Sequence, residues 1–301
     1  MPSLTLIYIR LMAKLPLPAS HAVGRFFGRI ASWIPSRLRT VTDINLATCF
    51  SELDVAGRRR LRRLSLMHFG CVLTESPRIW LGNRETVLGM VVEVQGEELV
   101  RQAFAAGKGV MFCAPHLGCW EIIGNYLAIT YPLTIMYRPQ QGALDELSLK
   151  GREQLGAKLV PTDQGGVKAL LAALRRGEAV GVLPDQDAKY GGLFVNFFGH
   201  PANTPALPAK LAAKTGAPVI FTYGERLPRG RGFRIHFALG SAAIANADSR
   251  VGTQALSDDL ERCIRQLPAQ YWWSYQRFRR RPAGVARVYP RKSSKRQPAR
   301  R

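Results

Sequence analysis

Short strand-like runs that alternate with helix-length segments after residue 91 limit the fold of this chain more than any other feature. Six runs rich in β-branched and aromatic residues cover 109–114, 133–137, 157–160, 179–183, 218–222 and 234–238. Segments of helical length lie near 120–130, 143–155, 165–176, 205–215 and 253–267. This alternation predicts an α/β fold, with a mostly parallel central sheet flanked by helices.

The first part of the chain has a different pattern and predicts a helical N-terminal region. Residues 56–81 carry apolar side chains at helical spacing with few turn signals. We therefore divide the chain into a helical region over 1–95, an α/β core over 96–285 and a basic tail over 286–301. The tail is rich in Ser, Pro, Lys and Arg, a composition typical of disorder.

Two N-terminal segments bear on membrane association. Residues 4–17 are interrupted by two basic residues and a proline, and they are shorter than the roughly 20 apolar residues that a membrane span needs. Residues 23–34 place apolar side chains at helical spacing, with Arg25 and Arg29 on another face. This segment is either a helix that lies in the membrane interface or an amphipathic helix packed on the core.

The charge of the chain favours an anionic partner. The net charge is +22, and eleven Lys and Arg but no acidic residue lie between 277 and 301. Such a run is either a solvated tail or a site of attraction to a membrane surface, an acidic carrier protein or nucleic acid. The sequence lacks the interleaved basic and aromatic residues of a nucleic-acid module, so we expect no nucleic-acid partner.

The spacing of the cysteines argues against disulfide bonds and a zinc site, and the lack of further ligands near one pair of acidic residues argues against another metal site. The five cysteines include no C-x-x-C pair, which favours a reducing compartment over a disulfide framework or a zinc site. Asp185 and Asp187 are paired acids, but no histidine or third acid lies nearby in the sequence. We expect neither a metal nor a bound cofactor.

Polar residues follow three of the predicted strands, at the sheet edge where α/β proteins concentrate their chemistry. His116 to Glu121 (HLGCWE) follow the first strand, Arg138 follows the second, and residues 184–187 (PDQD) follow the fourth. These segments contain the candidate functional residues.

His116 and Glu121 are the candidate catalytic pair. A carboxylate beside a histidine fixes its tautomer and stabilises the imidazolium, which makes the histidine a general base. Residues five apart on one helix point about 140° apart, so the pair requires His116 in the turn and Glu121 in the following helix. Gly118 supplies flexibility for that turn. A structural role for His116 remains open, and we expect structural roles for the other histidines.

Three further residues near these strand ends have two interpretations each. Arg138 could hold a phosphate or a developing oxyanion, or form a surface ion pair. Asp185 could orient Arg138 or a substrate hydroxyl. Cys119 could be a thioesterase nucleophile beside His116, or simply a packed side chain.

The segment 190–204 (YGGLFVNFFGHPANT) is glycine-rich and aromatic, and loops of this length are often functional. Phe194, Phe197 and Phe198 are candidates for the wall of an acyl groove. A β-hairpin that packs into the core is the alternative.

Several blocks, in order, resemble one known family. Residues 116–121 (HLGCWE) are similar to its HxGNWE block, and residues 137–139 to its YRP block. The remaining similar blocks are PDQD at 184–187, FFG at 197–199 with Thr204, PAQYWW at 268–273 with Arg277, Phe278, Arg281 and Pro282, and Asn45 with Cys49 and Phe50. The chain thus resembles the bacterial lipid A biosynthesis lauroyl/myristoyl acyltransferases of the lysophospholipid-acyltransferase-like superfamily.

The resemblance implies a glycerolipid-acyltransferase-like fold and an acyl carrier protein thioester, or acyl-CoA, as donor. It implies a hydroxyl of an anionic lipid A precursor as acceptor, and the cytosolic face of a Gram-negative inner membrane as the location. His116 would be the base and Glu121 its partner. Asp185 would support the site, while Arg138 or the backbone N–H groups near Gly118 would hold the oxyanion.

Departures from the family pattern leave the acceptor and the acyl chain length open. Cys119 stands where the family usually has Asn, and Ala269 replaces a Glu. Transfer to a mannosylated or amino-acid lipid, hydrolysis by a Cys119 thioesterase, and inactive binding by a basic surface are the alternative functions.

Overall fold

The computed structural model describes residues 4–137 and 142–290, apart from the side chains of 143–145. Arg138 and the tail residues 291–301, both subjects of predictions above, lie outside the described residues.

Helices flank the sheet and form the N-terminal region. Their bounds are α1 Leu4–Lys14, α2 Leu17–Ala31, α3 Arg37–Cys49, α4 Val55–Trp80, α5 Arg84–Gly89, α6 Glu97–Ala105, α7 Trp120–Thr130, α8 Ala143–Gln154, α9 Gln164–Arg175, α10 Leu207–Thr215 and α11 Ser249–Gln266.

Seven strands form the central sheet and two more form a separate hairpin. The strands are β1 Val91–Gln95, β2 Val110–Cys113, β3 Leu133–Tyr137, β4 Lys158–Pro161, β5 Ala179–Val182, β6 Gly192–Phe197, β7 His200–Pro205, β8 Val219–Arg226 and β9 Phe233–Leu239. The sheet order is β1-β9-β8-β2-β5-β3-β4, and every described pairing in it is parallel except β8–β9. The expected α/β fold with a mostly parallel sheet is confirmed.

Two parts of the strand pattern differ from the expectation. Residues 91–95, assigned above to the helical region, form β1 at one edge of the sheet, where they pair with β9. Residues 192–205 form the antiparallel β6–β7 hairpin, the alternative to an acyl groove.

The N-terminal helices pack through their backbones. Gly24 and Gly28 of α2 face Gly70 and Leu66 of α4, and a Cβ added to Gly70 would lie 2.0 Å from the Gly24 oxygen. Only glycine allows helices to approach this closely, because any side chain would separate them. The inward face of α2 is therefore small and partly polar.

The larger apolar side chains of this segment point outward instead. Phe26 and Phe27 are 60% and 61% exposed, and Trp33 and Ile34, just beyond α2, are 59% and 53% exposed. The segment therefore packs on the protein, as one interpretation of 23–34 has it, but through glycines and not through its large apolar residues. That the exposed side chains lie in a membrane interface stays a prediction. Within the described residues, no helix combines the length with the apolar composition that a transmembrane span requires.

Candidate active site

The register between β2 and β5 brings His116 and Asp185 together. These adjacent parallel strands align Cys113 with Val182, so the residues three positions beyond each strand emerge side by side. His116 is 9% exposed and Asp185 2% exposed. The site thus lies at the carboxyl ends of the central strands, as expected for an α/β sheet.

His116 is oriented by Asp185 through two hydrogen bonds. The Nδ1 of the imidazole lies 2.8 Å from Asp185 Oδ1, and the backbone N–H of His116 donates to Oδ2 at 2.9 Å. On the opposite side of the ring, Gln186 Nε2 lies 3.2 Å from His116 Nε2. A carboxylate on Nδ1 and an amide donor on Nε2 favour the tautomer with its proton on Nδ1. Nε2 then carries the lone pair that a general base needs.

The charge on Asp185 is maintained despite its burial. Burial alone would raise its pKa, but the positive charge of protonated His116, its two hydrogen bonds and the more distant Arg277 together hold the pKa of Asp185 below its usual value. Asp185 is therefore an anion at neutral pH and stabilises an imidazolium on His116.

Glu121 does not contact the imidazole, contrary to the predicted pairing. It lies in the first turn of α7, where its carboxylate accepts hydrogen bonds from Trp80 Nε1 at 2.9 Å and from Arg152 Nη2 at 2.9 Å. Its side chain thus joins α7 to the end of α4 and to α8. The physical reason is that the strand register, and not the local spacing, determines which carboxylate meets His116.

The backbone N–H groups at the Gly118 turn are not free to hold an oxyanion, in contrast to the prediction. Gly118 has φ +65°, and a Cβ there would lie 2.0 Å from the oxygen of Gly224, so the turn requires glycine. Its N–H already donates to the Gln270 oxygen at 3.0 Å, and that of Cys119 to the Gly224 oxygen at 2.8 Å. These two N–H groups are therefore occupied and do not face a reacting carbonyl.

A buried ion pair holds the other side of this turn. Arg226, at the end of β8, donates from Nε to Glu75 Oε2 at 2.6 Å and from Nη2 to the Gly118 oxygen at 3.0 Å. Glu75 also lies 2.7 Å from Nε2 of His21. Burial opposes ionisation of Glu75, but Arg226 and His21 hold its pKa well below the usual value. The chain of contacts joins α2 and α4 to the turn that carries His116.

Aromatic rings enclose the imidazole. The His116 ring centre lies 5.0 Å from that of Trp120 and 5.2 Å from that of Trp272. Trp272 stacks on Phe69 of α4, and its backbone N–H donates to the His116 oxygen at 3.1 Å. These rings exclude water from the base and leave an apolar surface beside it.

A cavity of about 300 Å³ opens beside Trp272, at the junction of α3 with the segment after α11. Its wall combines apolar and basic side chains, among them Arg37, Leu38, Val41, Trp272, Tyr275 and Arg279. Such a mixture suits a ligand with an apolar part and an anionic or hydroxylated part.

The family-like blocks at the two ends of the chain meet near this cavity. Asn45 of α3 donates to the backbone oxygens of Trp273 and Tyr275 at 2.6 and 2.7 Å. Arg277 donates to the oxygen of Asn203 at 2.8 Å, and its guanidinium lies 5.0 Å from the ring centre of Phe197. These residues fix the segment after α11 against the sheet and hairpin.

The predicted acyl groove at the β6–β7 hairpin is not formed by Phe197 and Phe198. Phe197 is fully buried against Phe198 and Phe278, while Phe198 packs on Phe50 and Trp273. Phe194 is half-buried on β6. The phenylalanine rings fill the core because the hairpin folds onto it.

Cys119 is a packed residue at the start of α7. It is 1% exposed, and burial, followed by the nearby Glu75 carboxylate, raises the pKa of its thiol well above the usual value. A thiol that resists ionisation is a poor nucleophile, which argues against a Cys119 thioesterase.

Asp187 faces away from the imidazole and has partners of its own. Its Oδ1 accepts from Asn203 at 3.0 Å and its Oδ2 accepts from Arg280 at 2.9 Å. Within the part of the chain that the structure describes, no three His, Cys, Asp or Glu side chains cluster as metal ligands would.

Several residues of the site were not singled out from the sequence. Gln186 was detectable, because it lies between two acids directly after a strand. Trp272 was part of a recognised block but had no assigned role. Arg226, Glu75 and Arg152 had no sequence signal, because their partners are remote along the chain.

Known proteins are similar in sequence to this chain over most of its length. The sequence model of a family described as bacterial lipid A biosynthesis acyltransferase matches residues 1–280. Lipid A biosynthesis lauroyltransferase of Escherichia coli is 27% identical over 284 residues, 93% of this chain and 91% of that protein. The palmitoleoyltransferase of the same organism is 25% identical over 283 residues, 93% and 91% of the two chains. Phosphatidylinositol mannoside acyltransferase of Mycobacterium tuberculosis is 29% identical over 254 residues, 82% and 78%.

Proposed function

This chain belongs to the family of bacterial lipid A biosynthesis acyltransferases and is an enzyme that transfers acyl groups; from that premise we propose that it moves a fatty acyl chain from an acyl carrier protein thioester to a hydroxyl of a lipid A precursor. The observation that carries the proposal is the 2.8 Å contact between His116 Nδ1 and Asp185, which leaves Nε2 as the base.

The proposed reaction needs no acyl-enzyme. The side chain of Gln186 moves off Nε2, and the acceptor hydroxyl takes its place. Nε2 removes the hydroxyl proton while the oxygen attacks the thioester carbonyl carbon. The C–S bond then breaks, and the leaving thiolate takes the proton back from the imidazolium. Asp185 stabilises that imidazolium, and we assign Arg138 to the developing oxyanion.

Charge and shape support a large anionic donor and an amphipathic acceptor. An acidic carrier protein and a phosphorylated glycolipid both complement a chain of net charge +22. The cavity beside Trp272 has a basic rim at Arg37 and Arg279 and an apolar wall at Leu38 and Val41. We assign this cavity to the acceptor, because Trp272 also contacts His116.

We further propose that the enzyme works on the cytosolic face of the inner membrane. Its acceptor is a membrane lipid, so the site must reach the bilayer surface. The exposed rings of Phe26, Phe27 and Trp33, with arginines on neighbouring faces, are typical of a surface that lies in the interface.

Mass spectrometry of the purified chain with carrier-protein thioesters and a lipid A precursor tests the reaction. The expected result is a mass gain of one acyl chain that His116→Ala reduces by about 10²–10⁴-fold, the usual contribution of a general base. His200→Ala, a histidine outside the site, is the matched control. Free fatty acid without acylated precursor would instead indicate a hydrolase, and wild-type turnover by His116→Ala would contradict the mechanism.

A mannosylated lipid is the second candidate acceptor. The observation that favours it is the 29% identity to phosphatidylinositol mannoside acyltransferase, in spite of the shorter matched length. Equal amounts of both acceptors in one reaction decide between them. Preferential acylation of the mannoside would replace the lipid A precursor in the proposal and leave the His116 chemistry unchanged.

A further inference from the structure

A second cavity lies away from the imidazole, where the end of α2 meets the first turns of α4. It has a volume of about 410 Å³, within the roughly 300–1,000 Å³ of small-molecule sites. We call it the arginine pocket, after its lining by Ser32, Trp33, Arg59, Arg60, Arg62 and Arg63.

The lining of the arginine pocket carries an uncompensated positive charge. It contains no carboxylate, and Arg62 donates outward to Asp43 at 3.0 and 3.1 Å. Arg59, Arg60 and Arg63 form no hydrogen bond or ion pair with another residue that the structure describes. Holding three like charges on consecutive turns of one helix is unfavourable without a counter-charge, so the pocket is suited to an anion.

The geometry of the guanidinium groups determines which kind of anion the pocket can bind. A guanidinium donates two parallel hydrogen bonds to phosphate or carboxylate oxygens, and it is more weakly hydrated than an ammonium group. Several guanidinium groups around one cavity complement a phosphate, because a phosphate offers acceptor oxygens in several directions.

Trp33 indicates which class of molecule carries the anion. Its backbone oxygen accepts from Arg39 at 2.7 Å and its ring lies 5.3 Å from the Arg29 guanidinium, yet the side chain is 59% exposed. Ile34 beside it is also exposed. An anchored and exposed tryptophan is typical of the depth at which lipid headgroups lie. An acidic protein surface would leave these apolar groups without a matching partner.

We propose that the arginine pocket binds the phosphate headgroup of an anionic bilayer lipid. The inference rests on the proposed work at a membrane surface and adds a defined lipid site to it. Arg62 lies seven residues before Phe69 on α4, about 10 Å along the helix, and Phe69 stacks on the tryptophan beside His116. A lipid held there would fix the height of the active site above the bilayer.

Calorimetry with dihexanoyl phosphatidylglycerol, below its critical micelle concentration, tests the pocket on the full-length chain. We expect saturable binding that the combined Arg59→Gln, Arg60→Gln and Arg63→Gln variant weakens at least tenfold. On phosphatidylglycerol vesicles the same variant should partition about 100-fold less, at about fivefold per arginine. The charge-matched control is Lys168→Gln with Lys210→Gln and Lys214→Gln, all exposed residues of α9 and α10, and it should stay within about threefold of wild type.

Three outcomes would overturn the proposal. The arginine variant could bind the short-chain lipid as tightly as wild type. Inorganic phosphate could bind as tightly as the lipid, which would indicate a site for free phosphate. The arginine substitutions could weaken the binding of acyl carrier protein and leave lipid binding unchanged, which would assign the surface to the donor. None of these measurements requires turnover, so a failure of the proposed reaction would be seen separately.

Discussion

At the residue scale, the identity of the carboxylate beside His116 decides the mechanism. Asp185 contacts Nδ1, whereas Glu121 joins Trp80 and Arg152. We expect Asp185→Asn to lower turnover by about 10²–10⁴-fold, because an amide disfavours the required tautomer and does not stabilise the imidazolium. The matched Glu121→Gln variant should lose less turnover, because it only weakens the contacts that hold α7 against α4 and α8.

The pH dependence of turnover separates these two roles. Asp185→Asn should move the acidic limb of the pH–rate profile to lower pH, because it removes the negative charge that stabilises the protonated form of the general base. Glu121→Gln should keep the shape of the wild-type profile. The reverse pattern would show that Glu121 reaches His116 during the reaction.

The mistaken pairing shows why residue roles are harder to predict than elements. The spacing of His116 and Glu121 is local and visible, and the glycine turn between them was correctly expected to bend the chain. Asp185 was placed in the site, but its contact with His116 depends on the pairing of β2 with β5, which are 69 residues apart along the sequence at these positions. Strand order is not encoded in any local pattern.

His68 makes the stability of the fold sensitive to acid. Burial, then the positive charges of Arg226, Arg25 and His21, opposed by Glu75, lower its pKa from 6.5 to about 3. Below about pH 6.5 the unfolded chain therefore binds a proton that the folded chain does not. The free energy of unfolding should fall by on the order of 1 kcal/mol per pH unit from this residue.

Urea denaturation at about pH 7.5 and about pH 5 measures this effect. His68→Asn keeps a polar side chain that does not titrate, so the variant should lose less stability than wild type between the two conditions. Equal losses in both proteins would show that His68 is accessible to protons in the folded state.

At the element scale, alternating strands and helices were predictable because each run has its own hydrophobic period. The exceptions have physical causes. β1 (VVEVQ) mixes polar and apolar residues because it is an edge strand, with a partner on one side only. The packing face of α2 was not predictable from its apolar pattern, because Gly24 and Gly28, not the large residues, make the close contact with α4.

The contact between α4 and β8 is the element-scale feature that positions the catalytic turn. Glu75→Leu alone would leave the Arg226 charge buried and unpaired, at a cost of about 3–5 kcal/mol. Replacing both residues, with Arg226→Met, should recover most of that stability. It would still remove the hydrogen bond to the Gly118 oxygen.

We therefore expect the double variant to be folded but slower. Thermal unfolding should place it between wild type and Glu75→Leu, while kcat falls and KM changes little, because the turn and not the acceptor cavity is disturbed. A double variant with wild-type kcat would reduce the ion pair to a structural role.

At the scale of the whole molecule, charge and exposed aromatic groups lie on the same N-terminal helices. The exposed rings occupy the side of α2 that turns away from α4, and the arginine pocket lies where α2 ends. The sequence indicated the amphipathic segment 23–34, but the arginines in the first turns of α4 were not singled out from it. Their combination on one surface required the packing of α2 on α4, because that packing determines which residues remain outside.

The aromatic side of this surface predicts a contribution to membrane binding that is independent of charge. Phe26, Phe27 and Trp33 are each about 60% exposed, and partial burial of each side chain in lipid should contribute about 1 kcal/mol. Replacing all three with Ser should lower partitioning onto neutral phosphatidylcholine vesicles by about 100-fold, measured by co-sedimentation. Unlike the arginine variant, this one should keep the loss at high salt, because apolar transfer is not screened.

A matched variant tests whether membrane binding depends on the position of the exposed apolar residues or only on their exposure. Leu239→Ser, Val251→Ser and Val285→Ser remove three apolar side chains that are 54%, 45% and 41% exposed on other parts of the molecule. If α2 faces the bilayer, this control should partition like wild type, because its residues never reach the lipid. An equal loss in both variants would mean that the chain adsorbs without a preferred orientation, and the aromatic surface would then have no specific role in bringing His116 to its acceptor.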